Sequence, residues 1–216
     1  MRAAPLARIA LLAALALGVG CAGDKDVEKP SELVDFRESA SIDRLWSASL
    51  GGGADVMRVG LAPAIDQGRV YAAGHDGDVA ALQLADGKQL WRTRTNATLA
   101  GGPGVGSGLV VVGSADGEVI ALDAKDGAQR WRVAVGGEVL SAPAVAEGAV
   151  VVRTVDGRLR GLSIEDGREL WREEPSLPRL TLRGAAPPVD ADGTALAGIA
   201  PGRVVAGPAA GREVLW

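Results

Sequence analysis

Few of the 216 residues have side chains suited to bond-making chemistry, and their spacing narrows the field further. His75, in Gly74-His75-Asp76-Gly77, is the only histidine, so a multi-histidine metal site cannot form. Ser141 lacks the histidine and acid neighbours that would activate a hydroxyl nucleophile. Most of the repeated aspartates stand directly before glycine, where turn formation explains them more simply than ligand binding. Cys21 is the only cysteine, which excludes an adjacent cysteine pair. The expectation is a non-catalytic protein without metal or cofactor.

Cys21 has a different chemistry open to it. Arg2 and Arg8 give a positive start, and Ile9 to Val19 form an apolar run of 11 residues, short for a membrane span. Small residues then lead to the thiol in Leu17-Gly18-Val19-Gly20-Cys21. A buried free thiol is the plain alternative, but an odd cysteine in an exported protein is a reactive liability. A thiol at a cleavage point can be diacylated, and two chains anchor where one does not. Residues 1–20 therefore read as a signal peptide, with membrane contact through a lipidated Cys21. Their removal takes away two arginines and moves the formal charge of −4 to −6. Residues 21–41, polar and charged with Pro30, read as the lipidated cysteine and its tether. The segment resembles a bacterial lipoprotein signal. It departs at Gly18, where leucine is usual, and Ala22 after the cysteine implies sorting to the outer membrane.

An internal repeat organises residues 42–216. The five tryptophans, Trp46, Trp91, Trp131, Trp171 and Trp216, are separated by 45, 40, 40 and 45 residues. Two Asp-Gly pairs keep the same phase, at Asp76, Asp116 and Asp156 and again at Asp86, Asp126 and Asp166. Pro63, Pro103 and Pro143 follow, as do Gly68, Gly108 and Gly148. Each unit predicts four short antiparallel strands joined by tight turns, with tryptophan in the last. In the third unit these span Ala142 to Ala146, Ala149 to Thr154, Arg158 to Ser163 and Arg168 to Arg172. Runs such as Val110-Val111-Val112 favour strands, and Asp-Gly suits turns that need positive φ. Four strands in 40 to 45 residues is the size of a propeller blade. The tryptophans are assigned to packing between blades, because one blade alone buries too little surface.

Composition agrees. The chain is 47% hydrophobic, ample for a core, and its 31 glycines follow no three-residue period. A net charge of −4 without a sustained basic stripe gives no support for nucleic-acid binding. The predicted fold is all-β, a partial β-propeller of about four four-stranded blades. Asp43 to Leu50 reads as a last blade strand without its first three, of the kind that completes a final blade. In the fourth unit, from about Leu182, Pro201-Gly202 replaces the first Asp-Gly and Pro208-Ala209-Ala210-Gly211 the second. An incomplete propeller, from a partial chain or truncated gene product, is therefore expected.

The units resemble the tryptophan-docking repeats of quinoprotein-like propellers, as in Asp116-Gly117-Glu118-Val119-Ile120-Ala121-Leu122-Asp123 leading to Gly127 and Trp131. With the lipoprotein signal and Pro178-Arg179-Leu180-Thr181-Leu182-Arg183-Gly184, the chain resembles the BamB-type lipoproteins of the outer-membrane β-barrel assembly machinery. The likeness corresponds to about the N-terminal half of an eight-bladed parent. It implies a scaffold in which Leu180, Leu182 and Arg183 contact periplasmic POTRA domains of the central barrel subunit. Unfolded outer-membrane proteins are further partners on this view. The loop stands out by itself too, since the five extra residues between Trp171 and Trp216 gather just before it. From spacing alone the two leucines read equally as strand-face residues and Arg183 as a solvent group. Two alternatives are a generic envelope propeller and a quinone-dependent dehydrogenase fragment. The second needs a cofactor pocket, calcium ligands and a cysteine pair that one cysteine cannot supply.

Overall fold

A computed structural model describes residues 40–51, 60–174, 186–199 and 203–210. The chain divides into two units, 1–43 and 44–216, and the description below concerns the second. It holds four antiparallel sheets in chain order, each a meander in which every strand pairs with the next. The first sheet contains β1 (Ala64–Asp66), β2 (Arg69–Ala73), β3 (Asp78–Gln83) and β4 (Gln89–Arg94). The second contains β5 (Leu99–Gly106), β6 (Leu109–Ser114), β7 (Glu118–Asp123) and β8 (Gln129–Ala134). β9 (Ala144–Val145), β10 (Ala149–Arg153), β11 (Leu159–Ser163) and β12 (Glu169–Glu173) form the third. β13 (Val189–Ala191), β14 (Thr194–Ile199) and β15 (Arg203–Pro208) form the fourth. The architecture is an all-β partial propeller.

The valine runs follow from stacking. Side chains alternate across a strand, so a sheet covered on both faces needs apolar residues at both parities. Val110 and Val112 of β6 face the first sheet, packing with Tyr71, Val79 and Trp91. Val111 between them faces the third sheet, with Val150, Val152 and Leu162. Ala149 and Val151 in turn meet Ala195 of the fourth sheet. The core therefore lies in layers between sheets, and each sheet depends on its neighbours for burial.

The first turn of each blade is a two-residue hairpin. Ser107 and Gly108 both take positive φ, 45° and 76°, the conformation whose twist suits adjacent strands. Between the third and fourth strands the register shifts at one place in three blades, after Ala81, Ala121 and Gly161. This leaves Leu90, Arg130 and Leu170 unpaired as one-residue bulges immediately before each tryptophan.

Two expectations need adjustment, and a third falls outside the described residues. The first strand of the third blade is shorter than Ala142–Ala146, because Val139 just before it bonds to the Ser114 carbonyl of the second sheet. Residues 43–50 form no strand, since none of the described segments offers them a ladder. The fourth sheet shows three strands, and its expected fourth, around Trp216, lies outside the described residues.

Candidate functional site

The four described tryptophans share one docking geometry. Trp91 Nε1 donates to the Ala124 carbonyl at 3.0 Å, Trp131 Nε1 to Ile164 at 2.9 Å, and Trp171 Nε1 to Ala209 at 2.8 Å. Trp46 Nε1 donates to Leu84 at 2.8 Å. Each acceptor follows the third strand of a blade, so the indoles of Trp91, Trp131 and Trp171 each clip one blade to its successor. Bulk and hydrogen bond act together, because a buried indole N–H needs a partner. The ring plane lies against the glycine of the next blade's second Asp-Gly turn. A Cβ on Gly127 would stand 2.5 Å from Trp91 Cε3, and one on Gly167 2.7 Å from Trp131 Cε3. The sequence marked these glycines as turn formers; their second task, a bare platform for an aromatic ring, needed the structure.

The inner strands leave little room between blades. A Cβ on Gly101 would lie 2.5 Å from the Ser141 carbonyl, and one on Gly104 would overlap the Pro143 carbonyl. Gly60 bridges to Gly101, donating to the Ala100 carbonyl at 2.8 Å and accepting from Gly102 at 3.2 Å. Here backbone packs on backbone. Ser141 is buried, its hydroxyl without a hydrogen-bond partner among the described residues. His75 is a half-buried turn residue whose Nδ1 lies 2.6 Å from the Leu99 carbonyl, to which it donates. No group of three or more histidine, cysteine or acidic side chains is placed to hold a metal among the described residues.

Cys21, Leu180, Leu182, Arg183 and Trp216 lie outside the described residues. The ends of the loop that carries three of them are described. Residues 175–185 leave from Glu174, just beyond β12, and return at Ala186 before β13. In the first two blades the corresponding linkers fold onto the first Asp-Gly turn. Thr95 N–H and Oγ1 both bond to the Gly77 carbonyl, and Val135 N–H bonds to that of Gly117. Glu174, the last described residue before that segment, lies at the rim that carries the turns at Asp76, Asp116 and Asp156, since Arg158 pairs with both Glu174 and Asp156.

Ion pairs mark this rim, and sequence reasoning missed them. Buried Asp78 pairs with Arg92 and, at 3.6 Å, with Arg94, holding the Arg92 guanidinium above its ordinary pKa through the hydrogen bond and the charge. Glu118 pairs with Arg132 at 3.2 Å in the same place one blade later. The third blade reverses the signs: Arg158 lies 2.7 Å from Asp156 and 3.6 Å from Glu174, at the start of the loop. The signal was available, since Asp78 and Arg94 become Arg158 and Glu174 in the repeat.

The family profile described as outer membrane protein assembly factor BamB matches residues 36–98 and 75–216. The chain belongs to the BamB family. BamB of Pseudomonas aeruginosa is 56% identical over 199 residues, covering 91% of this chain and 52% of that protein. BamB of Alkalilimnicola ehrlichii is 40% identical over 93 residues, 43% of this chain and 24% of that one. The chain thus spans between about a quarter and about half the length of these curated relatives. The crystal structure of BamB from Moraxella catarrhalis matches with a TM-score of 0.67 at 29% identity, covering 72% of this chain and 47% of that one. A quinohemoprotein alcohol dehydrogenase of Pseudomonas putida, at TM-score 0.55 and 21% identity, shares the fold alone.

Proposed function

We propose that this BamB-family chain is a non-catalytic scaffold in the assembly and insertion of outer-membrane β-barrel proteins. It sits at the outer membrane facing the periplasm, anchored by acyl chains on Cys21. The observation that carries the assignment is the family match across residues 36–216. The architecture supports it: stacked sheets whose inner strands pack backbone on backbone make a rigid platform. Function then resides in the loops such a platform presents.

The loop at 175–185 is the proposed docking element, with Leu180, Leu182 and Arg183 contacting POTRA domains of the central barrel subunit. Leucine burial supplies affinity there, and Arg183 selects orientation through a carboxylate or carbonyl. Pro175 and Pro178 restrict the loop, which lowers the entropy lost on binding. Titration of purified POTRA domains against the full chain tests the site. Arg183→Ala, and Leu180→Ala with Leu182→Ala, are each expected to weaken binding roughly thirtyfold, about 2 kcal/mol. Circular dichroism identical to the parent must accompany the loss. Folded variants that bind as tightly as the parent refute the site.

A further inference from the structure

The seam between the first and second blades differs from the next two. On the second strands, Leu109 and Val111 of β6 and Ala149 and Val151 of β10 are buried hydrophobics facing the following blade. The first blade carries Arg69 and Tyr71 of β2 at the same repeat positions. Aliphatic side chains seal the later seams, so packing by itself does not call for a guanidinium and a phenol here.

Both polar groups reach the Ala124 carbonyl of the second blade. Arg69 Nη1 donates to it at 2.9 Å, Trp91 Nε1 at 3.0 Å and Tyr71 Oη at 3.3 Å. A carbonyl oxygen has two lone pairs, and the two nitrogen donors stand nearer. Tyr71 is 2% exposed, and 3.3 Å is long for an O–H donor, so its buried hydroxyl is under-bonded. A polar cleft of about 280 Å³ opens here, lined by Asp66, Arg69, Tyr71, Asp123 and Lys125 among others. Asp123 is already engaged, accepting the Lys125 backbone N–H at 2.8 Å and lying 3.7 Å from Arg130. The Arg69 guanidinium pairs with no carboxylate among the described residues, and Lys125 is exposed. Two cations and a spare hydroxyl therefore face Asp66, the ladder partner of Arg69.

We propose that this cleft binds a small oxyanion, a phosphate or carboxylate group, held by Arg69, Lys125 and the Tyr71 hydroxyl. The guanidinium offers paired N–H donors that match such a group, and the phenol adds the directional bond that its crowded carbonyl leaves unfilled. The volume admits one such group with a short stem and falls below the usual range for drug-sized ligands. The cleft opens at the rim of the Gly68 and Gly108 turns, opposite the rim where Glu174 lies.

The tryptophans report occupancy. An anion that draws Arg69 and Tyr71 to itself leaves Trp91 as the main donor to Ala124, which strengthens that bond and moves the indole proton downfield. Trp131 and Trp171 dock on Ile164 and Ala209, outside the cleft, and serve as internal controls. The full chain, nitrogen-labelled and held in uncharged detergent, is titrated with inorganic phosphate and with acetate, against chloride at equal ionic strength. A saturable downfield shift of the Trp91 indole alone is expected with phosphate or acetate, and none with chloride. Phosphatidylglycerol in the same micelles reproduces the shift where a lipid headgroup enters; its failure beside a positive phosphate titration assigns the site to free anions. Arg69→Gln and Tyr71→Phe are each expected to weaken binding about tenfold, the worth of one hydrogen bond to a charged group. Asp66→Asn breaks no bond among the described residues and removes the opposing charge, so binding should tighten about threefold. The proposal is overturned by no shift at millimolar anion, by indoles that all move together, or by an Asp66→Asn chain that binds no more tightly than the parent.

Discussion

Gly127 and Gly108 have the same backbone angle, φ +76°, and lie on the same sheet, but their surroundings differ. An alanine Cβ at 108 would meet nothing within 4 Å. At 127 it would stand 2.5 Å from Trp91 Cε3 and 2.6 Å from Thr93 Oγ1. Gly108→Ala thus carries only the left-handed backbone term, about 1–2 kcal/mol. Gly127→Ala carries that term plus an overlap with a ring already clamped by its bond to Ala124, about 1–3 kcal/mol more. Urea denaturation of parent and both variants reads the two losses directly, with unchanged slopes confirming a common unfolding transition. The larger loss belongs to Gly127→Ala. Equal losses would mean that the indole is not clamped, and the docking account would fail.

Trp131→Ala removes a side chain that is only 6% exposed, and its expected cost is about 3–5 kcal/mol in the same denaturation assay. Trp131→Phe keeps much of the volume but strands the Ile164 carbonyl, so an intermediate loss of about 1–3 kcal/mol is expected. Asp166 is held below the ordinary carboxylate range, chiefly by a hydrogen bond from Ser163 and then by the Arg168 N–H. Its contribution is therefore present above about pH 3.9 and is lost as pH falls through the lower folded value. Asp166→Asn should flatten that acid limb of a stability–pH curve. Mass spectrometry of the mature protein is expected to find residues 1–20 absent and Cys21 carrying acyl chains, and Cys21→Ser to abolish both the acylation and detergent-phase partitioning.

The repeat made the fold legible because period and residue type agreed at every level. Tryptophans 40 or 45 residues apart named the blades, and Asp-Gly pairs named the turns where glycine φ is positive at 77, 117 and 157. What stayed hidden was double duty. A glycine that serves a turn gives no sign that it also serves a ring, so the platforms at 127 and 167 could not be read. Trp46 shows the opposite case. Its sequence announces a strand, but a strand exists only with a neighbour, and the described residues give it a docking site without a ladder. The reversed ion pair at Arg158 was visible in the repeat, but only the register of β11 against β12 gives it meaning, by bringing residues before Leu159 beside those after Glu173.

The bulges at Leu90, Arg130 and Leu170 bear on how the protein survives in crowded surroundings. A regular outer strand presents a flat row of amides and carbonyls that a colliding chain can extend. Each outer strand here is interrupted midway, and its partner groups no longer line up with a straight incoming strand. The bulged outer edges are therefore poorer templates for an added strand than a regular edge.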